Sequence, residues 1–168
     1  TMEHLCELVK EYDMAGKVTI SHAFALIDMA PAQLDKMTDC FLELKIDITS
    51  TYPFDRRIPV DYLVKKGIPV RFGCDGIYDS WGPFGLGDVL EKVKHFCMIN
   101  GKNDEVSLAQ SLGLATEGIT PLDAEGNVQW PKESDPADFV FVDASCSAEV
   151  VARLPERKAV MVGGKFIS

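Results

Sequence analysis

The chain has 168 residues, 46% hydrophobic and 26% charged, with a formal net charge of −9, the make-up of an ordinary globular domain. Its longest basic runs are the pairs Arg56-Arg57 and Lys65-Lys66, so there is no electrostatic footprint for nucleic acid or for an anionic membrane. No apolar run approaches a membrane span and the start lacks a signal-peptide core. The five scattered cysteines (Cys6, Cys40, Cys74, Cys97, Cys146) contain no CxxC, which argues for buried, reduced thiols in a cytoplasmic protein.

In chain order, Met2, Leu5, Leu8, Val9 and Tyr12 recur at helical spacing, and Gly16 ends that helix. Val18 to His22 is a short β-branched strand with His22 at its end, followed by an apolar exit loop over 23–29. Pro31 stands at a helix N1 position, and Leu34, Met37, Phe41, Leu42 and Leu44 give a second amphipathic helix. Residues 46–51 form the next strand, 60–66 a short helix closed by Gly67, and 68–72 a third strand. Three consecutive βα units imply parallel strands. Helices are then expected over 88–99 and from Asp104 to Leu114. After residue 118 the texture changes. Residues 119–136 are rich in Gly, Pro, Asp and Asn and read as loop, with a short strand at 128–130. A strand over 138–143, a helix over 148–154 and a hairpin pivoting on Gly163-Gly164 complete a small β module.

The chemistry concentrates after the third strand. Val70 and Phe72 are its apolar alternates, the strand stops at Gly73, and Asp75 stands just past its end. A loop with Tyr78, Asp79, Trp81, Pro83 and several glycines leads to the helix at Asp88. Strand ends of parallel α/β folds are where neighbouring loops converge and where sites form. A carboxylate in that place reads as part of a site; the alternative is that Asp75 caps a turn and Trp81 packs on the next helix.

The order of Ser21-His22 at one strand end, Gly73-Cys74-Asp75 at another, and Tyr78-Asp79-Ser80-Trp81-Gly82-Pro83 after it resembles the amidohydrolase superfamily, in its cytosine deaminase-like branch. The tail is similar as well: Leu114 to Ile119 resembles the helix after the barrel, Pro136 to Asp143 an "A-D-hydrophobic-D" strand, and Val160 to Lys165 the closing "V-x-V-x-G-K" hairpin. The resemblance implies the C-terminal part of a (β/α)8 barrel, residues 1–118 with strands six to eight, followed by 119–168 as part of a composite β-sandwich. A complete barrel takes about 250 residues. The His-x-His of the family's first strand is absent. His4 falls on the polar side of the first helix and His95 in mid-helix, so neither replaces it.

What the resemblance implies chemically is metal-assisted hydrolysis of a carbon–nitrogen bond in a small cyclic amidine, amine or amide. Asp75 takes the role of metal ligand and proton carrier, and His22 that of polarising the substrate or holding the attacking hydroxide. Trp81 walls the pocket against a planar ring and Asp79 supports the loop. The divalent metal, zinc or iron, is expected in the full-length parent, with none required in this chain alone. The family's cytosine pattern has a second acid where this chain has Gly76, which puts cytosine itself in doubt. Three strands cannot close a barrel, so the chain is expected to self-associate or to pair with the N-terminal part of the barrel. Two other readings stay open: a catalytically inactive fragment, and a stand-alone α/β module using the loop 82–87 ahead of the Asp88 helix to hold an anion.

Overall fold

The computed structural model describes residues 1–80 and 83–167. It divides into two compact units, Thr1–Asp75 and Gly76–Ser168.

The first unit is three βα-type repeats. Helix α1 (Met2–Glu11) is capped by the Thr1 hydroxyl, which accepts the His4 N–H, and α2 (Pro31–Glu43) begins with Pro31 at its first turn, where a missing N–H costs nothing. Helix α3 (Val60–Lys66) ends at Gly67, whose φ of 94° is the left-handed cap that glycine supplies without strain. Strands β1 (Thr19–Ser21), β2 (Asp47–Ser50) and β3 (Val70–Phe72) pair in parallel in the order β1-β2-β3, with Ile20 opposite Ile48 and Ile48 opposite Val70. Strand alternation splits this sheet into two different faces. Ile20, Ile48, Val70 and Phe72 enter a core with Met37, Phe41, Leu44, Leu63 and Val9 from the helices.

The opposite face is polar. Thr19, Asp47, Thr49 and Arg71 share it by register. The Arg71 guanidinium pairs with the Asp47 carboxylate and donates through Nε to Thr49 Oγ1 at 2.9 Å. Asp47 Oδ1 is buried with no hydrogen-bond partner among the described residues. This is an α/β fold of three βα units, a partial barrel rather than a closed one. The expected strands and helices of this unit are all present; the exit loop after β1 contains a single 3-10 turn, Phe24–Leu26.

The second unit begins with α4 (Val89–Ile99) and α5 (Glu105–Ser111), started by Asp88 and Asp104, whose carboxylates accept the N–H groups of Leu90 and Ser107. Its antiparallel sheet is β4 (Phe139–Val142), β5 (Arg157–Val162) and β6 (Lys165–Phe166), and α6 (Ser147–Arg153) packs against α4 and α5. The short strand expected at 128–130 is reduced to one bridge between Leu122 and Val128. Helix α6 buries Ala148 and Val151, and α4 and α5, which it packs against, bury Val93, Phe96, Cys97 and Ser111. Of the cysteines, Cys6 and Cys97 are buried, Cys40 and Cys74 are half-buried, and Cys146 is exposed, so burial holds for two of the five. No helix among the described residues is long and apolar enough to cross a membrane.

Candidate functional site

The parallel sheet brings the two expected site residues together. His22 follows β1 and Asp75 follows β3, 53 positions on, yet His22 Nε2 lies 4.0 Å from Asp75 Oδ2. That separation is an ion-pair contact and too long for a hydrogen bond, so both polar edges stay available to a third group. Catalytic hydrogen bonds are often this loose before a substrate tightens them. The side chains are 39% and 60% exposed, which leaves the pair open to solvent and to a ligand.

The backbone under the pair is unusual. His22, Ala23 and Asp75 have φ of 64°, 55° and 61°, a left-handed conformation that non-glycine residues seldom adopt and that costs of the order of 1–3 kcal/mol each. Local bonds hold the first of these turns. The His22 N–H donates to Thr49 O at 2.8 Å, and the buried Ser50 hydroxyl donates to His22 O at 3.0 Å. Strand β2 thus grips the end of β1 by both backbone groups of His22. Its Gly73 counterpart at the end of β3 donates to Ser50 O at 2.9 Å. The His22 ring stacks on Phe24 with centroids 5.1 Å apart and an interplanar angle of 26°, and its Nδ1 is buried with no partner among the described residues. The guanidinium of Arg56, from the loop after β2, lies over the Phe24 ring at 4.6 Å.

The remaining expected residues stand differently. Asp79 belongs to the second unit, where its carboxylate crowds Gly76 so closely that a Cβ there would displace it. Trp81 lies outside the described residues. His4 is on the surface beside Glu7, as expected. No group of three or more His, Cys, Asp or Glu side chains that could hold a metal occurs among the described residues. The His22–Asp75 pair therefore offers at most two ligands, fewer than a catalytic metal takes from protein.

The anion-holding alternative loses its seat. The Asp88 carboxylate caps α4 by accepting the Leu90 N–H, and Arg157 forks onto both of its oxygens. A helix start already occupied by a carboxylate repels a second anion. A cavity of about 1060 Å³ in the second unit is lined mainly by apolar side chains, among them Leu90, Leu112, Ile119, Phe139, Val150 and Met161. Its Asp88 and Arg157 already neutralise each other, so it offers no acid–base pair. The Cys6 thiol is no nucleophile either: burial, then the Cys40 side chain, pushes its pKa up to about 12.

Phe24 and Arg56 were not singled out by sequence. The signal available was an aromatic two residues after a strand-end histidine; Arg56 registered only as half of a short basic pair.

The carboxylate and the imidazole stand past the C-terminal ends of parallel strands, which is where α/β folds place their chemistry. Comparisons with known proteins bear on the fold. No family model matches the chain. It is 42% identical over 159 residues to the uncharacterized protein YahJ of Escherichia coli K12, covering 94% of this chain and 35% of that protein. N-isopropylammelide isopropylaminohydrolase from Burkholderia multivorans superposes with a TM-score of 0.82 at 31% identity over 99% of this chain and 43% of its own. The 5-methylcytosine deaminase of Klebsiella pneumoniae, liganded with 5-fluorocytosine, shares the fold with a TM-score of 0.76 at 23% identity, over 98% and 43% of the two chains. These matches bear out the resemblance to the amidohydrolase superfamily that the sequence carries. The chain spans well under half the length of the relatives it matches.

Proposed function

We propose that this chain supplies barrel strands six to eight and the C-terminal β module of a hydrolase that breaks a carbon–nitrogen bond in a small cyclic amidine, amine or amide. The observation that carries the reading is the His22–Asp75 pair, 4.0 Å apart at the ends of β1 and β3 on strained backbone. The names of two matched structures, an isopropylaminohydrolase and a deaminase, both describe removal of a ring amine, and a site of this composition suits that chemistry. In this reading residues 1–118 are barrel and 119–168 sandwich.

Each residue has a distinct part. The Asp75 carboxylate accepts the proton that the attacking water gives up and passes it to the leaving nitrogen. His22 directs Nε2 at the same point; with Nδ1 buried and unpartnered, the tautomer carrying hydrogen on Nε2 avoids burying an unmet N–H. That hydrogen stabilises negative charge as it develops on the substrate or the attacking oxygen. For Trp81, outside the described residues, and for Asp79, a part in substrate binding rests on the resemblance alone. A divalent metal, zinc or iron, would activate the water when bound. Asp75 is the ligand this chain offers to it, but the described residues do not complete a coordination shell. The chain's own partner is the rest of the barrel or a second copy of itself, because among the described residues β1 and β3 are the edge strands of a three-stranded sheet. Its free thiols suit a reducing, cytoplasmic setting.

The test is steady-state release of ammonia or amine from cytosine, 5-methylcytosine, N-isopropylammelide and creatinine by the whole polypeptide that carries this sequence. Asp75→Ala is expected to abolish turnover, and His22→Asn to lower kcat far more than it raises KM. Trp81→Ala is expected chiefly to raise KM. Full activity in Asp75→Ala would remove the reading's central residue.

A further inference from the structure

A strand-end imidazole is usually aimed by a hydrogen bond to its second ring nitrogen. His22 has none: Nδ1 is buried and unpartnered among the described residues. Its backbone is pinned on both sides by β2, which fixes where Cα sits but leaves the plane of the ring undetermined. A contact that constrains the plane is the face of Phe24, 5.1 Å away and inclined by 26°. Phe24 reaches that position because His22 and Ala23 are both left-handed, which turns the chain back on itself directly after β1. The Phe24 ring is itself covered by Arg56, whose guanidinium carbon lies 4.6 Å from its centroid. Arg56 comes from a different loop, so the stack ties the exit of β1 to the exit of β2.

We propose that Phe24, held by Arg56, is a positioning residue: it sets the plane of the His22 imidazole so that Nε2 points at Asp75. The proposal rests on the reading of His22 as a site residue only for its kinetic consequence; the geometry is a separate matter. Phe24 touches neither substrate nor proton. The stack sets the plane, and the Asp75 charge selects which ring edge faces it. A side chain without an aromatic face leaves the plane free, and Nε2 then spends much of its time aimed elsewhere.

The experiment compares Phe24→Leu, Phe24→Tyr and Arg56→Met by NMR of the His22 side chain in the full chain, with turnover measured alongside. Phe24→Leu is expected to remove the ring-current displacement of the His22 ring protons. It should also average their contacts to the Asp75 methylene and, where turnover is measurable, lower kcat about 10–100-fold while KM stays within about twofold. Phe24→Tyr keeps the aromatic face and should restore both signals. Arg56→Met keeps an apolar cover without the charge and should show a smaller loss in the same direction. An unchanged set of His22–Asp75 contacts in Phe24→Leu would overturn the proposal. Should Phe24→Leu fail to fold, unchanged His22 geometry in Arg56→Met would overturn the proposal and mean that Phe24 only fills space. An inactive site does not confuse the result: loss of His22 geometry without any turnover upholds the stack and counts against the proposed reaction instead.

Discussion

Ser50→Ala tests how the strained turn at His22 is held. Ser50 is 2% exposed, and its single hydroxyl hydrogen has two carbonyls within reach, His22 O at 3.0 Å and Thr51 O at 2.8 Å. It can fully satisfy one of them at a time. Removing it forfeits a net hydrogen bond of about 1 kcal/mol and leaves a carbonyl poorly satisfied, so the loss is about 1–2 kcal/mol. At 1.4 kcal/mol per factor of ten, local opening of the turn becomes roughly ten times more frequent. The readout is amide hydrogen exchange at His22, whose N–H donates to Thr49 O, with Gly73 as the control. Gly73 bonds to the backbone carbonyl of Ser50, which the substitution leaves in place. Protection at His22 should fall about tenfold while Gly73 changes little. Unchanged protection at His22, or an equal loss at both, would refute the argument, since the hydroxyl would then be idle or would support the whole sheet.

Three further expectations follow from the same structure. Arg71 and Asp47 are each roughly a third exposed, so a double-mutant cycle of Arg71→Met and Asp47→Asn should return a coupling of about 1–2 kcal/mol, between surface and buried pairs; additive losses would show that the pair contributes nothing beyond its separate contacts. The Tyr62 hydroxyl and then Lys66 hold the Asp35 carboxyl below its ordinary range. A depressed folded pKa stabilises above the unfolded value of about 4 and is lost as pH falls through the folded one. Asp35→Asn should therefore destabilise at neutral pH, and its difference from wild type should shrink below about pH 4 in denaturant titrations; a difference that grows on acidification would contradict the assignment. Finally, three parallel strands with open edges call for a partner. Light scattering should show self-association or capture of the remaining barrel segment, and a cooperatively melting monomer would count against that.

Much of the chain's architecture was legible without coordinates. Apolar residues at helical spacing, Pro31 and Gly67 at helix ends, and short β-branched runs are local signals, and local signals survive in a linear sequence because the backbone geometry they report spans only a few residues. The placement of His22 and Asp75 just past strand ends belongs to this class. Their meeting at 4.0 Å does not, because it depends on the parallel register that sets β1 beside β2 and β2 beside β3. The polar face built by Thr19, Asp47, Thr49 and Arg71 is likewise a consequence of register, since a slip of one residue would have turned every one of these side chains inward. The Arg157–Asp88 pairing that closes the start of α4 joins residues 69 apart. The Phe24–Arg56 stack needs two loops to converge and a left-handed turn that no residue type at 22 or 23 announces. Sequence determined which groups stand at the strand ends; only tertiary packing decided which of them face one another, because contact between distant residues is set by register and loop path rather than by local preference.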